Sequence, residues 1–179
     1  MSNLPSRARG RVLLVVGLLV VLFLAATARL FVWPPTDQPV RADAVVALGG
    51  DPGQLRAKEA IALVRQGYAP VAVVSRGDVP EAPCPDPGPG VNVECFRADP
   101  LDTRGEAEYV AALAARRHWT TLILVPERSQ ATRARLIFER CTRARLVVVP
   151  VADHGFHLVY DIAYEWAALA KALVVQRSC

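Results

Sequence analysis

Asp43-Ala44-Val45-Val46-Ala47-Leu48-Gly49-Gly50-Asp51 is the stretch on which the reading of the whole chain turns. Five apolar residues, Ala44 to Leu48, run without a break and stop at two glycines. An unbroken run of that length fits a strand buried on both faces, as in a parallel sheet. The glycine pair lets the backbone turn sharply and lets another group come close. Ala57, Ala60, Ile61 and Val64 then fall at the i, i+3, i+4, i+7 spacing of a helix. The unit is strand, glycine turn, helix. In open α/β sheets ligands sit beyond the carboxyl ends of strands, where such turns lie. Neither a full G-x-G-x-x-G nor a P-loop lysine accompanies the turn, and two glycines after a strand are more often only a tight turn.

The pattern repeats along the chain. Gly67 stops the first helix and Pro70 follows it. Val71-Ala72-Val73-Val74 is a second buried run, ending in Ser75-Arg76-Gly77. Val91 to Phe96 is a short alternating strand. Thr103 and Glu106 have the T-x-x-E spacing of a capping box ahead of Ala107, Val110, Ala111 and Ala114. Leu122-Ile123-Leu124-Val125 is another buried strand. Ser129 is the expected N-cap of the helix carrying Ala134, Ile137, Phe138 and Cys141. Leu146 to Val149 is the last strand, and Phe156 to Val174 is apolar enough for a helix packed on the sheet. The expected fold is a Rossmann-like α/β three-layer sandwich with a mostly parallel sheet of about five strands, preceded by one N-terminal transmembrane helix.

That helix comes from Val12 to Ala28, 17 residues without a charge, continued after Arg29 by Leu30-Phe31-Val32-Trp33. A bilayer core needs about 20 mainly apolar residues, with a range of about 17–25. Arg29 can snorkel and Trp33 suits the interfacial belt. Arg7, Arg9 and Arg11 precede the span, so the positive-inside rule puts the N-terminus in the cytoplasm and the rest outside. The competing reading is a signal peptide cleaved near Ala26-Thr27-Ala28, although its apolar region exceeds the usual 7–15 residues. The expected organisation is a basic tail at 1–11, an anchor at 12–33, a linker at 34–42 and an extracytoplasmic domain at 43–179. Three prolines stiffen the linker, which is expected to hold the domain just off the membrane.

Residues 1–40 hold Arg7, Arg9, Arg11 and Arg29 against Asp37, which is +3 of the chain's net +4. The domain itself is near neutral, which argues against a nucleic-acid binder. Four cysteines allow three pairings. Cys84 with Cys95 is favoured, because Pro85 to Gly90 is turn-forming, with Cys141 and Cys179 as the second pair. The close ligand spacing of a zinc site is absent, so no metal is expected, and a structural role for all four is preferred.

Arg133 falls near the first turn of its helix, where a cation opposes the helix dipole. That placement makes more sense with an anion bound at the helix start, against the plain alternative of a surface arginine. His118 stands at a helix end, and His154 and His157 lie beside Asp153. No serine sits in a nucleophile elbow, and no paired carboxylates mark a hydrolase.

Taken in order, D-A-V-V-A-L-G-G, G-Y-A-P-V-A-V-V-S-R-G, T-R-G-E-A and L-I-L-V-P-E-R-S-Q-A-T-R-A-R resemble the SanA/YdcF/ElyC-like envelope family over residues 43–150. The resemblance implies a Rossmann-like fold and a role in envelope integrity and peptidoglycan-related processes. It also implies a ligand site on Gly49, Gly50, Arg56, Ser75, Gly77, Thr103, Glu106 and Arg133. Ser75-Arg76-Gly77 stands where the family commonly has Ser-Gly-Gly, and Gln130 where it commonly has histidine. Without that imidazole the usual acid-base group near neutral pH is gone, and binding is favoured over catalysis. One member class is reported to bind S-adenosylmethionine, but an extracytoplasmic domain would not meet it, and no cofactor is expected.

The expected function is therefore binding of an anionic envelope metabolite, such as a lipid-linked phosphate or nucleotide-like group. Arg56 and Arg133 would pair with phosphate. Glycine-turn and helix-start N–H groups would complete the cradle, and Glu106 would act as a base or orient a sugar hydroxyl. The alternative is a non-catalytic scaffold for envelope-synthesis proteins.

Overall fold

A computed structural model of the chain describes residues 6–50, 54–77, 83–152 and 158–179. Asp51, and the group formed by Asp153, His154 and His157, lie outside those residues, as does Phe156. Helix α1 spans Ser6–Thr27 and widens into a π-helical turn at Ala28–Val32. The domain then runs β1 (Ala44–Ala47), α2 (Leu55–Arg65), β2 (Val71–Ser75), β3 (Asn92–Phe96), α3 (Thr103–Arg117), β4 (Thr121–Val125), α4 (Ala131–Cys141), β5 (Arg145–Val148) and α5 (Leu158–Val174).

The five strands form one all-parallel sheet in the order β3-β2-β1-β4-β5. The chain moves outward from β1 through β2 to β3, then returns to lay β4 on the other side of β1. The order therefore reverses at β1, and a crevice opens there at the carboxyl ends. All four residues of β1 are fully buried, which is why the run carries no polar residue. Ala44 and Val46 face α3 and α4, whereas Val45 and Ala47 face α2. Between β2 and β3 the described residues form no helix, and Cys84–Cys95 ties this connection to β3. Cys141–Cys179 joins the end of α4 to the chain terminus.

Three local features differ from the sequence expectation. The N-cap of α3 is Asp102, whose Oδ1 accepts from the N–H of Arg104 (2.9 Å) and Gly105 (3.0 Å). Thr103 and Glu106 are thereby released from capping. Asp is as good an N-cap as Thr, so the sequence around them was ambiguous by one position. Ser129 does not cap α4. The helix starts at Ala131 after Gln130, which makes no side-chain cap, and Ser129 is buried. Finally, α5 packs on α4, with Leu169 and Ala172 buried, instead of lying on the sheet.

The linker also departs from a free spacer. Asp37 accepts from the Val148 N–H (2.8 Å) and from Arg135 (2.6 Å), and Val40 and Ala42 pack against the α2 side of the core. Those bonds give an extended, proline-rich segment the partners that an isolated one lacks. Before it, Phe31 is fully buried, and the Leu30 carbonyl accepts from Thr132 Oγ1 (2.6 Å). The domain is seated directly against the end of the apolar helix.

Candidate functional site

The turns after β1 and β2 meet. A Cβ added to Gly49 would stand 2.7 Å from Gly77 Cα and 2.7 Å from Ser75 Oγ. One added to Gly77, whose φ is +61°, would stand 2.6 Å from the Gly50 nitrogen. Both residues are glycine because two backbones cross here. What comes close to the first glycine turn is the second turn.

Glu106 closes this crossing from the first turn of α3. Its Oε1 accepts from the Gly49 N–H at 2.6 Å. Burial pushes its carboxyl above the ordinary carboxylate range. Hydrogen bonds from the Ser75 hydroxyl and the Gly49 N–H, with the positive charges of Arg56 and Arg133, pull the other way without cancelling that effect. Glu106 is a buried acid inclined to hold its proton, bracketed by two guanidinium groups.

Those two groups are held differently. Arg133, from α4, forms a forked pair with Glu165 of α5, Nε to Oε2 at 2.8 Å and Nη2 to Oε1 at 2.7 Å. Its Nη1 donates to Thr103 Oγ1 at 2.7 Å. Burial works against the charge, but the carboxylate outweighs it and raises the arginine's pKa. A guanidinium has five N–H donors. Three serve Glu165 and Thr103, which leaves two. Arg56, from α2, is completely buried behind the first turn. It donates from Nη1 to Gln130 Oε1 at 2.9 Å and lies 3.9 Å from Glu127. With its carbonyl held by Arg56, the Gln130 amide keeps its NH2 as a donor.

A cavity of about 230 Å³ opens over these groups. Its wall includes Gly49, Gly50, Ser75, Gly77, Thr103, Glu106, Gln130 and Arg133, and is completed by Ala98, Leu101, Asp102 and Tyr164. Every residue singled out for ligand binding lines it except Arg56, which reaches it through Gln130 and by its charge. A second cavity of about 230 Å³ adjoins it, shares Gln130 and Tyr164, and carries Glu127, Asp161 and Glu165. No cluster of three or more metal-ligating side chains occurs among the described residues.

Several of the backbone donors expected to complete an anion cradle serve the chain itself. Glu106 takes the Gly49 N–H, and Asp102 takes those of Arg104 and Gly105. Asp102, Tyr164 and Glu165 are not among the residues expected at the site. Only Glu165 left a usable trace, because an acid inside a run as apolar as Leu158–Val174 needs a buried partner.

No family model, curated protein or solved structure matched the chain. The class of protein is therefore defined by fold and site: a parallel, doubly wound α/β domain with a polar cavity at its switch point, carried behind one helix that is long and apolar enough to cross a membrane.

Proposed function

We propose that the chain is a single-pass envelope protein of the SanA/YdcF/ElyC-like kind. It is anchored with its N-terminus in the cytoplasm and its domain outside, and supports cell-wall integrity by binding a phosphate-containing metabolite in the switch-point cavity. The observation that carries the reading is the convergence of Arg56 and Arg133 on Glu106 from two different helices. Both charges bear on one cavity, where Arg133 and the Gln130 amide retain donors for a guest. Retention of the anchor is favoured over cleavage because Phe23, Thr27 and Phe31 all contact the domain at Trp166. The two disulfides suit an oxidising compartment.

The test is thermal unfolding of the full chain in micelles with inorganic phosphate, a polyprenyl monophosphate, a nucleoside diphosphate or a muropeptide. A ligand at about 100 times its Kd adds about 2.7 kcal/mol, or roughly 5–10 °C for a chain of this size. At least one phosphate-bearing probe should produce that shift, and Gln130→Ala should reduce it. Absence of any shift, together with full rescue of a deletion strain by Gln130→Ala and Glu106→Gln, would leave the cavity dispensable and favour the scaffold.

A further inference from the structure

Helix α5 is apolar on the side that the domain does not cover. Its buried edge carries Glu165, Leu169 and Ala172. On the opposite edge Val159, Ala163, Ala167, Ala170 and Val174 recur at helical spacing, all exposed. Val159 is 83% and Val174 64% accessible, with Tyr160 and Leu173 flanking them. Asp161 and Glu165 sit on the half turned to the domain, so no acid interrupts the outward face; Lys171 borders it. A helix apolar on both sides is found in a core or against lipid, and the described residues provide no core here.

The span shows what covers this face. Trp166 of α5 stacks on Phe23 at 5.4 Å and donates from its indole N–H to Thr27 Oγ1 at 3.1 Å. Thr27 and Phe23 precede Val32, the end of the apolar span, by five and nine residues. At the helical rise that places them roughly 7 Å and 13 Å inside the end of the span. Trp166 therefore lies beside a part of α1 that is within the bilayer if α1 crosses it. A helix lying in the interface buries its apolar face about 5–10 Å into the headgroup and acyl boundary, a range that takes in the level of Thr27 and stops short of that of Phe23.

We propose that α5 is an in-plane membrane element, with its Val159, Ala163 and Val174 face lying in the leaflet reached by the carboxyl end of α1. The proposal rests on the reading of α1 as a span. It brings the cavity, which has Tyr164 of the same helix in its wall, to the level of the lipid headgroups. Lys171 at the border of the face suits a side chain that reaches back to phosphates.

The test uses the full chain in nanodiscs, in a Trp33→Phe background that keeps the contacts of Trp166 with α1, so that Trp166 and Trp119, just before β4, are the remaining indoles. Ala163→Trp and Val174→Trp are made separately, with Phe23→Trp as the span reporter, and each variant is checked by circular dichroism. With lipids brominated near the top of the acyl chain, the reporters at 163 and 174 should lose about half or more of their added emission, as expected at interfacial depth. The added emission is read as the difference from the Trp33→Phe background in the same lipids. Quenching at 23 with none at 163 and 174 overturns the proposal and leaves the anchor standing. No quenching at 23 overturns both. Two reporter positions on α5 keep the result readable if one variant misfolds.

Discussion

Replacing Glu165 by glutamine removes one charge from a pair that the domain has almost completely withdrawn from water. The Arg133 side chain is 9% exposed and that of Glu165 2%. Both guanidinium-to-carboxylate bonds are short, 2.8 and 2.7 Å. Breaking a buried pair by removing one member typically costs about 3–5 kcal/mol, because the other charge is left uncompensated. Here the remaining charge is a guanidinium with an acceptor at Thr103 and a neighbour, Glu106, that burial inclines toward its neutral form. Little is left to neutralise it. For a chain of 179 residues, each kcal/mol corresponds to roughly 2–4 °C, so Glu165→Gln should lower the unfolding midpoint by about 6–20 °C. Circular dichroism of the full chain in micelles measures it. Helix α5 keeps other tethers, Arg140 to the Ala172 and Gln176 carbonyls and the Cys141–Cys179 bridge, so the loss reports on the charge and not on release of the helix. The double variant Arg133→Met, Glu165→Leu should recover most of it, since apolar replacement of a buried pair is often neutral or stabilising. A midpoint change below about 2 °C for Glu165→Gln, or a double variant as unstable as the sum of the singles, would refute the argument.

The acid at the turn crossing gives a pH signature. Glu106 has its pKa raised in the fold, chiefly by burial, so the folded chain holds a proton that the unfolded chain releases. Its contribution to stability declines as pH rises from the unfolded carboxylate value up to the folded one. Glu106→Gln should flatten that decline in the wild-type stability curve, and an unchanged curve would show that the carboxyl ionises freely. Asp37 and Asp43, both held low in the fold, act in the opposite direction, losing stability as pH falls through their folded values, and are common to both proteins. At the crossing itself, Gly77→Ala adds a Cβ 2.6 Å from the Gly50 nitrogen at a φ of +61°. Overpacking of about 1–3 kcal/mol should appear as a midpoint several degrees lower, and a midpoint equal to wild type would mean that the two turns separate easily.

The chain discloses the middle of its sheet because β1, β2 and β4 are buried on both faces and carry few polar residues, whereas the edge strand β3, with Asn92 and Glu94, shows only as a short alternation. Ala44–Ala47 and Leu122–Val125 are the clearest cases. The helices show through their spacing, and the Cys84–Cys95 bridge through the turn-forming residues it encloses. The site is legible only in part, and the reason is visible in Arg133. A cation near the start of a helix is unfavourable by itself, so the sequence implies a negative partner without saying where it comes from. The fold supplies one 32 residues later, in Glu165. The same holds for the Gly49 N–H, which donates to Glu106 from 57 residues away. Strand-end glycines, a serine, an acid and two arginines have the same local pattern whether they await a guest or satisfy one another. Only the count of donors after folding separates the cases. On that count the backbone N–H groups of Gly49, Arg104 and Gly105 belong to the fold. Arg133 and Gln130 line the cavity, and the proposed recognition of a phosphate would rest on their remaining side-chain donors.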